Sequence, residues 1–153
     1  MKIAVIAVGR LKDKSVAALT RSYDDRLPAA AKLTWIEVAG EQGNDPARAR
    51  AREADSLRAR IPERAAVIAL SEQGREMNSR EFAKFIASVR DSGRDLAFLI
   101  GGADGLDSAL LKRADITLSL SRLTFPHELV RAILAEQIYR AFSILRGDPY
   151  HRD

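Results

Sequence analysis

Leu96-Ala97-Phe98-Leu99-Ile100 runs without a break into Gly101-Gly102-Ala103-Asp104-Gly105, an apolar pentad followed by three glycines in five positions. An uninterrupted apolar run of this kind fits a strand buried on both faces, as in a parallel sheet. Glycines at the carboxyl end of such a strand let the chain turn tightly and let a ligand approach main-chain atoms. A plain tight turn into the next helix explains the same residues equally well. Working outward, Lys2–Val8, Leu33–Val38 and Ala65–Leu70 are further apolar, β-branched runs, and Ile116–Leu120 is a fifth with more alternation. Helical spacing fills the intervals at Lys14–Leu27, Asp45–Arg60, Ser79–Asp91 and Ser108–Arg113. Strands alternating with helices predict an α/β fold, a mainly parallel sheet flanked by helices on both sides.

Pro126 suits the first position of the last and longest helix, with Glu128 in its electropositive first turn and Gly147 as its stop. Val130, Ile133, Leu134, Ile138, Phe142 and Leu145 give that helix a wide apolar stripe, suited either to covering the sheet or to a dimer interface. In the Asp45–Arg60 helix, Ala47, Ala51, Ala54, Leu57 and Ile61 form a thin apolar stripe. Arg48, Arg50, Arg52, Arg58 and Arg60 fan over the rest, a solvated face in the simpler reading and an RNA contact in the other. With 153 residues and no linker or repeat, one domain over 1–153 is expected.

Composition removes whole chemistries. The chain has no cysteine and only two histidines, His127 and His151, which excludes disulfide scaffolds and thiol catalysis and predicts no metal site. There is no GxGxxG after a strand, no GxxxxGK[ST] and no GxSxG elbow. His127-Glu128-Leu129-Val130-Arg131 resembles HExxH, but Arg131 replaces the second zinc ligand. No apolar run approaches the ~20 residues that span a bilayer, and Lys2–Val8 is too short for a signal-peptide core, so a soluble cytoplasmic protein is expected. The 25 basic residues exceed the 21 acidic ones, giving a net charge of +4. That excess favours a polyanionic partner without demonstrating one.

Two more segments carry candidate chemistry. Leu118-Ser119-Leu120-Ser121-Arg122-Leu123-Thr124-Phe125-Pro126 ends a strand in small hydroxyl residues and passes through a loop to a helix start. Such a loop suits a polar cofactor, although Ser121 and Thr124 also read as ordinary helix caps. The terminal Pro149-Tyr150-His151-Arg152 could stack on a base, bond its edge and hold a phosphate, where a tail by default frays.

Four motifs combine here: IGG-x-x-GL at 100–106, LS-x-S-x-x-T-x-PH-x-L-x-R at 118–131, EQ-x-YRA at 136–141 and PYHR at 149–152. Together with the opening Val5-Ile6-Ala7-Val8-Gly9, the chain resembles the RlmH family along its whole length. That resemblance implies a SPOUT methyltransferase with a C-terminal trefoil knot, acting as a homodimer. It further implies transfer of a methyl group from S-adenosyl-L-methionine to N3 of a pseudouridine in 23S rRNA of the assembled ribosome. By the same resemblance the cofactor lies against Leu70, Gly102 and the loop Ser121, Arg122, Leu123, Thr124, Phe125, Pro126, with Gly101 and Leu120 shaping the pocket. His151 is then the preferred general base, with His127 as the structural or positioning alternative. Arg152 and Arg131 are expected to hold phosphate or developing negative charge, and Tyr150 to stack on the base. The rival readings are a SPOUT enzyme of tRNA and a non-catalytic RNA-binding module that uses the basic surface alone.

Overall fold

The computed structural model describes residues 1–152, and Asp153 lies outside the described residues. In chain order the elements are β1 (Ile3–Val8), α1 (Lys14–Arg26), β2 (Leu33–Val38), α2 (Pro46–Arg58) and β3 (Ala65–Glu76). They continue as α3 (Ser79–Asp91), β4 (Asp95–Ile100), α4 (Ser108–Arg113), β5 (Ile116–Ser119) and α5 (His127–Arg146). The helices start where the side chains say they should. Asp13, Asp45 and Asp107 each accept backbone N–H groups of the first turn they precede, and Asn78 forms a reciprocal capping box with Glu81.

The five strands form one sheet in the order β2-β1-β4-β3-β5, every pairing parallel. The central pair, β1 and β4, is held in a register that sets Val5 beside Phe98 and Ile6 beside Leu99. Alternation along these strands serves two cores. Ile3, Val5, Phe98 and Ile100 face α3 and α5, whereas Ile6, Val8, Ala97 and Leu99 meet Ala54 and Leu57 of α2 and Leu110 of α4. A slip of one residue would exchange the two faces. Full burial of a side chain such as Phe98 or Ile6 is worth roughly 1.5–3 kcal/mol. On the first face, α5 lies against both α1 and α3.

Three local expectations need correction. β3 does not stop at Leu70 but runs on to Glu76, because β5 supplies a second stretch of pairing partners. Leu118 pairs with Leu70 and again with Arg75, so the residues between them bulge outward. Gly74 permits this closeness, since a Cβ there would sit 2.7 Å from the backbone of Thr117 and Leu118. Pro126 lies just before α5 with extended backbone (φ −53°, ψ 134°), and the helix begins at His127. The stripe on α2 is shorter than its spacing suggests. Ala47 and Ala51 are exposed, while Glu53, Ala54 and Leu57 face inward.

Candidate active site

A cleft of about 440 Å³ opens between the bulge of β3 and the ends of β4 and β5, beside the start of α5. Volumes of a few hundred Å³ suit a cofactor-sized ligand. Its floor is the turn after β4. There Gly105 donates to the carbonyl of Gly102 at 3.1 Å, and Gly105 takes a left-handed backbone (φ +75°). Gly101 must be glycine, because a Cβ would fall 2.5 Å from the Gly105 carbonyl carbon. The glycines of this tightly folded turn leave main-chain atoms open to the cleft.

One wall is the β5–α5 loop, buttressed from across the cleft. Thr124 Oγ1 donates to Glu72 Oε2 at 2.6 Å, and Arg122 pairs with Glu76 at 3.4 Å, both acceptors lying on the extension of β3. Within the loop, Ser119 Oγ donates to the carbonyl of Ser121 and Ser121 Oγ accepts the N–H of Leu123. Neither Ser121 nor Thr124 caps α5, so their hydroxyls shape the loop itself. Leu70, Gly101, Gly102, Leu120, Ser121, Leu123, Thr124 and Phe125 all line the cleft. Arg122 and Pro126 do not; the Arg122 side chain is 86% exposed and turned toward Glu76.

Sequence reasoning missed Glu72 and Asp104, which also line the cleft. The signal for Glu72 was faint, a polar segment around Gly74 that reads as a loop until β5 pairs with it. The two carboxylates matter because no Lys or Arg is among the lining residues, on a chain with a net charge of +4. The cleft is therefore suited to a ligand bearing positive charge, with Leu70, Leu118, Leu120 and Phe125 as apolar walls.

His127 borders the cleft, but Arg131, one turn further along α5, does not. Arg131 is buried. Its Nη1 donates to Glu37 Oε1 at 2.7 Å and its Nη2 to the carbonyl of Gly9 at 2.6 Å, at the ends of β2 and β1. Both Nη donors of Arg131 are thus spent within the fold, where the side chain pins α5 to the sheet, away from the cleft where it was expected to hold substrate charge. Glu128 helps, its Oε2 accepting the N–H groups of Lys12 and Asp13. Those bonds hold the Glu128 carboxyl below its usual range, with the Asp13 contact foremost. Together the two side chains set where His127 stands.

The tail docks on the far half of α5. Tyr150 donates its hydroxyl to Glu136 Oε1 at 3.0 Å and meets Tyr139 edge-on, ring centroids 4.8 Å apart. Burial, and then hydrogen bonding with Tyr23 and Glu136, pushes the Tyr150 phenol above its ordinary range, so it stays protonated. Arg26 lies over the rings of Tyr23 and Tyr139, at 4.4 and 4.6 Å. Arg140 lies over Tyr150 at 4.7 Å and reaches His151 Nδ1 at 3.2 Å. Arg152 is exposed. Arg140 stands thirteen residues beyond His127 on α5, ~20 Å along the axis. Within one chain, then, the tail and the cleft are not brought together.

A parallel α/β sheet whose strand ends converge on a cleft at the start of a helix is the architecture of enzymes that bind nucleotide-like cofactors. Residues 1–151 match the family described as "Predicted SPOUT methyltransferase". The "Ribosomal RNA large subunit methyltransferase H" of Paramagnetospirillum magneticum is 48% identical over 157 aligned residues, covering 99% of each chain. The protein of the same name from Thioalkalivibrio sulfidiphilus is 46% identical over the full length of both. Among solved structures, a probable methylase family protein from Haemophilus influenzae Rd KW20 has the same fold, with a TM-score of 0.59 at 12% identity over 99% of this chain and 70% of that one. The chain belongs to the SPOUT methyltransferase family, the α/β-knot class. Among the described residues there is no cluster of metal-ligating side chains, and no helix is long and apolar enough to cross a membrane.

Proposed function

We propose that this chain, acting as one domain over 1–153, methylates N3 of a pseudouridine in 23S rRNA of the assembled ribosome, in the cytoplasm and as a homodimer. The reading draws its substrate from relatives that match end to end and are named for large-subunit rRNA. The observation that carries the cofactor assignment is the cleft itself, backbone-lined, apolar-walled and furnished with Glu72 and Asp104 but no cationic side chain. S-adenosyl-L-methionine, when bound, supplies a methyl group on a positively charged sulfur. Leu70, Leu120 and Phe125 would hold its flat base, and the turn Gly101–Gly102 would offer main-chain groups to base and ribose. Glu72 and Asp104 offset the positive charge at long range. Positioning dominates such a displacement, and the buttressed loop and the pinned start of α5 provide it.

The ~20 Å of helix between His127 at the cleft and Arg140 beneath the docked tail supports the dimer. A second copy can present its Tyr150, His151 and Arg152 to the cleft of the first, where one chain alone cannot. The experiment is methyl transfer from labelled cofactor to free 23S rRNA, isolated large subunits and whole ribosomes, with the product nucleoside identified by mass spectrometry. N3-methylpseudouridine formed on ribosomes is the expected product. Cofactor binding without transfer to any of the three would sink the reading. Mixed dimers of Gly101→Val with His151→Ala should regain activity that neither parent has, if the site is shared.

A further inference from the structure

We propose that Arg140 fixes the neutral His151 ring as the tautomer protonated at Nε2, so that His151 acts as a hydrogen-bond donor and not as the base. A guanidinium carries only donors. With Arg140 Nη1 at 3.2 Å from His151 Nδ1, that nitrogen must present its lone pair. Arg140 is not free to turn away. Its Nε and Nη2 both donate to Glu136 Oε1, the oxygen that also accepts the Tyr150 hydroxyl, and its plane lies over the Tyr150 ring. A neutral imidazole has one N–H, which is therefore on Nε2.

The consequence concerns the acceptor base, and it rests on the methyl-transfer reading above. A base needs a free lone pair; the one on Nδ1 is engaged by Arg140, and Nε2 has none to offer. When N3–H of the pseudouridine breaks, its proton goes to solvent water and the electron pair spreads onto the flanking carbonyl oxygens. A donor from His151 Nε2 at one of those oxygens stabilises that charge while the N3–CH3 bond forms and the sulfur–methyl bond breaks. Arg140 is the positioning residue in this scheme, acting only through His151.

Two measurements test the two halves. With only His127 and His151 in the chain, two-bond proton–nitrogen correlation spectra of histidine-labelled protein assign each ring directly. At a pH where the ring is neutral, His151 should carry its proton on Nε2 in the wild type and in Arg140→Lys. Arg140→Gln, which can accept as well as donate, should show a mixture. A wild-type proton on Nδ1 overturns the proposal. For transfer, Gln sets an amide N–H near the position of Nε2 and Asn near that of Nδ1. His151→Gln should stay within about tenfold of wild type while His151→Asn and His151→Ala fall by about 100-fold or more. Equal losses in Gln and Asn overturn the donor role. If wild-type protein transfers no methyl to ribosomes at all, the donor role falls with the methyl-transfer reading, and the spectrum alone still decides what Arg140 does.

Discussion

The cleft lies at the start of α5 and the docked tail against its second half, and the two are built from different materials. The cleft uses glycine backbone, leucines and one phenylalanine, with hydroxyls spent on shaping its own loop. The tail site uses side chains almost exclusively: a carboxylate shared by Arg140 and Tyr150, three tyrosine rings and the two guanidiniums laid over them. A backbone-built pocket is fixed by the fold and changes only when the chain path changes. A side-chain cluster can be dismantled one residue at a time while the fold persists. Under the proposed reading, that division matches a cofactor that is always the same and an RNA substrate that must be gripped, read and released.

The sharpest way to break that contrast is to remove residues 149–152 with the final residue. Methyl transfer should fall by about 1,000-fold, the scale of losing a set of acceptor-positioning groups, with cofactor affinity unchanged within about threefold. Calorimetry and a transfer assay on the same preparation read both, and a matching loss of cofactor affinity would mean that tail and cleft are one site.

Gly101→Val attacks the other side. The new side chain meets backbone 2.5 Å away, which cannot yield as a flexible side chain would. Cofactor affinity should drop by about 100-fold or more, while the tyrosine fluorescence of the tail site stays as in wild type.

Arg131→Met tests the strut between the two regions. It leaves the Gly9 carbonyl without its donor and frees Glu37, at a cost of about 2 kcal/mol, ~30-fold in the folding equilibrium. Denaturant unfolding measures it. A variant that is fully stable but unable to bind RNA would return Arg131 to the substrate site.

Thr124→Val should matter least. Only the bond to Glu72 is lost, at the exposed rim, so cofactor affinity should weaken by about 1 kcal/mol, ~5-fold. A much larger loss in calorimetry would show that the loop, more than the glycine turn, holds the ligand.

Much of this architecture was legible in the chain, and the exceptions share a cause. Leu33–Val38 and Ser79–Asp91 are bounded in the structure where their spacing placed them. Caps such as Asp13 and Asn78 act within three residues of themselves, so local sequence contains them whole. The extension of β3 was hidden because Ser71–Glu76 is polar and becomes a strand only by pairing with Leu118 and Ser119, over forty residues later. The inward bonding of Arg131 was hidden because a motif places a residue on a helix without saying what that helix leans on. Its partner Glu37 lies 94 residues earlier.

By itself, then, the sequence determined the alternation of strands and helices, the glycine turn that a ligand can approach, and the exclusion of thiol and zinc-finger chemistry, all properties of neighbouring residues. Only the tertiary structure decided that the cleft carries carboxylates and no cation, that Arg131 faces inward and that His151 meets Arg140. Each of these depends on which distant segments the packed sheet brings together, and periodicity carries no record of that.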